Sequence, residues 1–137
     1  MNGERALQYT FNLALIVLLL AGCGGAAASD IAVCDTYQHL VDVWPSNSEE
    51  VKAASSADEI WGAITDAGEA LVTASEAADT AELREAGQQV GEAAAGFADS
   101  NANLVKQGFV PFFAEDLVDG SDLGLLCESI GRPITLP

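Results

Sequence analysis

The chain has 137 residues, half of them hydrophobic, and sets 21 acidic side chains against five basic ones for a formal net charge of −16. A surface of that sign repels phosphate, which excludes nucleic acids and anionic headgroups as partners and leaves basic proteins or loosely held divalent cations. A single histidine and three cysteines restrict the chemistry further.

The first segment, Met1 to Asn12, is polar, with Arg5 offset by Glu4, and leads into an apolar run from Leu13 to Gly22. A spanning helix needs ~20 apolar residues. This run is shorter, as in the centre of a secretory signal, and it stops at a cysteine. The ending Leu20-Ala21-Gly22-Cys23 resembles the lipobox of bacterial lipoproteins, in which small residues precede an obligatory cysteine. The resemblance covers the first 23 residues only. It implies a signal peptide over 1–22, diacylglyceryl attachment at Cys23, cleavage before it, and a protein held on the outer side of the cell membrane. Acyl chains bury ~0.8 kcal/mol per methylene, so two or three make a stable anchor. The alternative is an uncleaved short anchor helix with an incidental cysteine.

Residues 23–137, 115 in all, suit one domain. Gly24 to Ser29 carry no bulky side chain, so residues 23–30 read as the lipidated cysteine and a flexible tether, with a helical domain over 31–137. Cys34 and Cys127 remain near opposite ends of that domain, 93 positions apart. An even pair outside the cytoplasm suggests a disulfide, which on the entropic account restricts the unfolded chain by about 4 to 5 kcal/mol. Two buried thiols or a metal pair are the alternatives.

Beyond the tether the pattern is helical throughout, rich in alanine and without alternating β-branched runs. A first helix over 31–44 puts Cys34, Tyr37, Leu40, Val41 and Trp44 on one face and stops before Pro45. A second, over 49–78, carries two seven-residue series, Ala54-Trp61-Gly68-Ser75 and Ala57-Ile64-Leu71-Ala78. Such recurrence marks a seam against another helix. A third, over 81–106, repeats the device with Leu83, Val90, Phe97 and Leu104, flanked by small Ala86, Ala93 and Ser100. Asp79 followed by Glu82 reads as a reciprocal cap between the two, so they form an antiparallel hairpin. Trp61 and Phe97, each 18 residues from Asp79, should meet at the same level.

The last part crowds Phe109, Phe112 and Phe113 round Pro111, breaks at Gly120, and ends in a short helix capped by Ser121 and running to Ile130. The fold expected is therefore all-α: a small bundle built round a long helical hairpin, with a disulfide joining first and last helices. The aromatic cluster closes its core, or alternatively exposes an apolar patch. The acids fall on outward positions of the hairpin. The dense stretch Glu115 to Asp122 lacks the alternating ligand spacing of an EF-hand loop, so no metal is expected there.

No nucleophile elbow, phosphate loop or HExxH is present, so no enzyme is expected and no cofactor is required. His39, four residues after Asp35, reads as a helix-surface histidine; its functional alternative is an axial ligand for haem. Two functional classes remain. One is an envelope lipoprotein whose acidic, non-catalytic domain binds or blocks a protein partner at the membrane surface, with phage exclusion as an example by analogy. The other is a small-ligand carrier, for haem or an apolar molecule, with His39, Trp44, Phe109 and Phe113 as candidate contacts.

Overall fold

The computed structural model describes residues 25–47, 50, 57–103 and 113–137. Six helices occur among them: α1 (Ala28–Val43), α2 (Ala57–Glu76), α3 (Ala81–Ala95), α4 (Phe97–Ser100), α5 (Ala114–Asp119) and α6 (Leu123–Ser129). None is long and apolar enough to cross a membrane. The fold class is the one the sequence implies, an all-α bundle built round a helical hairpin whose first and last helices are joined by a disulfide.

The three- and four-residue spacing of apolar side chains on α1 buries Val33, Cys34, Tyr37, Leu40 and Val41 along one stripe. The helix ends where Trp44 turns extended (φ −75°, ψ 134°), the geometry that the following Pro45 favours. Its start differs from expectation. Ala28, Ser29 and Asp30, assigned by sequence to the tether, are already helical.

The hairpin is α2 and α3, joined by the short connection 77–80, with α1 laid mainly against α2. Of the two heptad series, Trp61, Gly68, Ser75, Ile64 and Leu71 on α2 and Ala78 in the connection after it are buried; Ala54 and the side chain of Ala57 lie outside the described residues. On α3 the seam is not the expected one. Ala93 and Ser100 are exposed, and the buried positions are Leu83, Gly87, Gly91 and Ala94. Two glycines set the approach: a β-carbon on Gly68 would stand 2.6 Å from the Ala95 amide nitrogen, and one on Gly91 would stand 2.8 Å from the Gly68 carbonyl oxygen. Backbone thus meets backbone at this crossing, and no larger residue fits without spreading the pair.

The third helix is also shorter than its pattern suggests. Glycine is a weak helix former, and at Gly96 (φ −91°, ψ −2°) the chain turns before resuming as α4. Leu104 and Lys106 lie outside the described residues, as do the second helix's expected start at Glu49 and Phe109 and Phe112. The segment after them returns to the end of α1, where the Ala114 amide donates to the Pro45 carbonyl at 3.0 Å. Tyr37 Oη meets the Leu117 carbonyl at 3.3 Å and Ser121 Oγ at 3.4 Å, so α5 and the turn after it sit over α1. Ser121 is therefore occupied with Tyr37, and Asp122 stands at the N-cap of α6 in its place. The C-terminal tail pairs back to α1, with Gln38 donating to the Thr135 carbonyl and accepting from its amide, both at 2.8 Å.

Candidate functional site

The start of α1 is tied to the turn of the hairpin by one carboxylate. Asp30 is 4% exposed, and its Oδ1 accepts the amides of Asp79 (2.9 Å) and Thr80 (3.0 Å) while Oδ2 accepts the Thr80 hydroxyl. The reciprocal cap expected of Asp79 and Glu82 is not formed. Thr80 is the N-cap residue of α3, without a capping bond from its own side chain, and Asp30 supplies the acceptor from another helix. Burial alone would raise the Asp30 pKa. The Thr80 hydroxyl, the two amides and the Arg84 guanidinium outweigh it, so the carboxyl sits below its ordinary value. Arg84 also donates to the Ala78 carbonyl at 2.8 Å, closing the same turn.

Because the folded pKa is depressed, the contribution of Asp30 to stability is full above the ordinary carboxylate pKa and is lost as pH falls through the folded one. Asp30→Ala leaves two amides without their acceptor and should cost about 2 to 3 kcal/mol at neutral pH. Urea unfolding at neutral pH and near pH 3 checks the assignment: the gap between wild type and variant should narrow in acid, and a gap independent of pH would show that the charge is immaterial.

Cys34 and Cys127 are bonded, with their α-carbons 5.6 Å apart. Cys23 and Phe109 lie outside the described residues. The remaining candidates do not converge. His39 is exposed on α1, and Asp35, its expected partner, lies 3.7 Å from the Arg132 guanidinium. Trp44 is a core residue, 1% exposed, set edge-on against Phe97 with ring centroids 5.1 Å apart. Phe97 in turn stacks on Trp61 at 5.3 Å and 28°. Phe113 is half-buried, and its amide donates to Asp116 at 2.9 Å.

An open groove of about 740 Å³ runs between α3 and the α5–α6 pair, with Val90, Ala94, Phe97 and Leu117 below and Gln89, Asp116 and Asp122 at its edge. Among the candidate residues, Trp44 contributes to its floor, whereas His39 and Phe113 do not line it. A second groove, about 550 Å³, shares Ala86, Gln89 and Asp122 with the first and continues along α3 past Glu85 and Glu82, under Leu125. Leu125 is 67% exposed at the rim of this second groove. Tyr37 sits beneath this side of the molecule. Burial raises its pKa, opposed by the hydrogen bond with Ser121 and reinforced by the charge of Asp119.

Sequence periodicity gave no signal for the groove, because it lies between helices whose relative placement depends on the disulfide and on Tyr37. Among the described residues no group of three histidine, cysteine, aspartate or glutamate side chains is placed to hold a metal ion. The acidic stretch near Gly120 is divided between α5, where Asp116 accepts the Phe113 amide, and the cap of α6. No protein-family model, curated protein or solved structure matches the chain.

Proposed function

We propose that the protein is an envelope lipoprotein, held on the outer side of the cell membrane by acyl chains on Cys23, whose non-catalytic helical domain binds or blocks a protein partner at the membrane surface. The observation that carries this reading is the sequence Leu20-Ala21-Gly22-Cys23, which ends five residues before α1 begins at Ala28. Five residues reach at most about 18 Å, so the anchor stays close to the start of α1. Asp30 ties that start to the hairpin turn, and the Trp61–Phe97 end of the hairpin lies about 25 Å from the turn. In this arrangement the turn faces the lipid and the long sides of the bundle are open to a partner. Acids on those sides favour a basic one.

Cys23→Ala is expected to abolish fatty-acid labelling and to leave the precursor unprocessed. Metabolic labelling with a radioactive fatty acid, followed by immunoprecipitation, checks it; label persisting on the variant would overturn the anchor. Crosslinking in the native envelope then tests for the partner, one co-purifying protein being the expected result. The groove over Trp44 and Phe97 favours a second reading, a carrier of a small apolar ligand. With His39 outside the groove, haem is not the ligand this reading would take. An absorption spectrum and a native mass of the purified protein separate the two, since a carrier retains added mass.

A further inference from the structure

We propose that the continuous groove between α3 and α5–α6 is the docking site for a basic amphipathic helix of the partner protein, an inference that rests on the partner-binding reading above. Its shape comes first. The two cavities share Ala86, Gln89 and Asp122 and together follow α3 from Glu82 to Ala94, which at helical rise is about 18 Å, before reaching Phe97 of α4. That length matches about 12 helical residues, more than three turns, and is elongated for a compact small molecule.

The lining chemistry points the same way. The floor is apolar, formed by Val90, Ala94 and Leu117 with Trp44 and Phe97 beneath, and Leu125 stands exposed at the Glu82 end. Carboxylates occupy both walls, Glu82 and Glu85 on α3, Asp116 and Asp122 on the opposite side. Among the described residues no lysine or arginine lines either part. An apolar stripe between two acidic walls is complementary to a helix with leucine-like anchors at i, i+3, i+4 and i+7 and lysines or arginines on each flank. An acidic helix meets repulsion from both walls, and a wholly polar basic segment leaves the stripe and Leu125 uncovered.

The full chain in zwitterionic nanodiscs, carrying a benzophenone side chain at position 125, tests the proposal with a synthetic amphipathic peptide of about 12 residues, leucines in one stripe and lysines beside them. Photo-crosslinking should exceed that of the same label at position 69, on the exposed face of α2, by about tenfold or more. It should fall about tenfold in the exposed double variant Glu85→Lys/Asp122→Lys, and should not occur with a glutamate-flanked peptide. Equal crosslinking at both positions, or by a scrambled lysine peptide, would reduce the effect to diffuse charge attraction and overturn the site. Reaction of the label, without peptide, with the chain's own residues 104–112 or with a second copy would assign the groove to that occupant instead. Fatty-acid labelling of Cys23 and recovery of a partner from the envelope do not depend on the groove, so failure here is distinguishable from failure of the lipoprotein reading.

Discussion

Phe97→Ala is expected to destabilise the domain by about 3 to 5 kcal/mol, the cost of truncating a buried aromatic ring whose surroundings collapse only in part. The ring is 6% exposed and stands between two tryptophans, edge-on to Trp44 at 5.1 Å and stacked on Trp61 at 5.3 Å. It therefore joins the end of α1, the early part of α2 and α4 at one point. Neighbouring side chains cannot fill the space, because the adjoining seam is built from alanine and glycine at Ala94, Gly91 and Gly68. Trp61→Ala should cost a similar amount, and a double-mutant cycle between the two should show a coupling of about 0.5 to 1.5 kcal/mol for the stacked pair. Trp61→Phe should be milder than Trp61→Ala, since the buried indole nitrogen of Trp61 has no hydrogen-bond partner to lose among the described residues. Urea unfolding followed by far-ultraviolet circular dichroism measures all four variants. Wild-type stability in Phe97→Ala together with loss of partner binding would mean that the rings serve as a contact surface.

Loss of the Cys34–Cys127 bond is the second large effect, about 4 to 5 kcal/mol on the chain-entropy account for a link across 93 positions. The damage should be uneven. Helix α6 spans only Leu123–Ser129, too short to persist by itself, and Leu123 and Cys127 are its buried residues. In Cys34→Ala/Cys127→Ala, hydrogen exchange should therefore rise first in α5 and α6, while the α2–α3 crossing at Gly68 and Gly91 keeps its protection. Wild-type protein in a reducing agent should behave alike. Equal loss of protection in the hairpin would show that the staple supports the whole core.

Much of the hairpin was legible because its sequence is strongly periodic. Trp61, Ile64, Leu71 and Ser75 recur at heptad spacing, and the same spacing about a short turn brought Trp61 opposite Phe97. On the partner helix the buried small residues differ from those the heptad spacing predicts, for a physical reason. Seven-residue series from Leu83 continue through Val90, but a helix of 3.6 residues per turn without supercoil drifts, and the contact line passes instead through Gly87, Gly91 and Ala94. The break at Gly96 was invisible to periodicity because Phe97 keeps its place in the series on either side of it. The cap differs for another reason: Asp79 and Glu82 satisfy the local rule, yet a buried carboxylate 49 positions earlier in the chain offers the Asp79 amide its acceptor.

By itself, the sequence determined helicity, the antiparallel hairpin, the likeness of the first 23 residues to a lipoprotein signal and the net negative charge, all properties written in local periodicity and composition. Tertiary structure alone decided that Asp30 closes the turn, that Trp44 belongs to the core while His39 points to solvent, and that α5 and α6 leave a groove along α3. Each of those depends on where distant segments come to rest against one another. That placement follows from burial and from polar groups finding partners across long stretches of chain, and neither is encoded in the spacing of neighbouring residues.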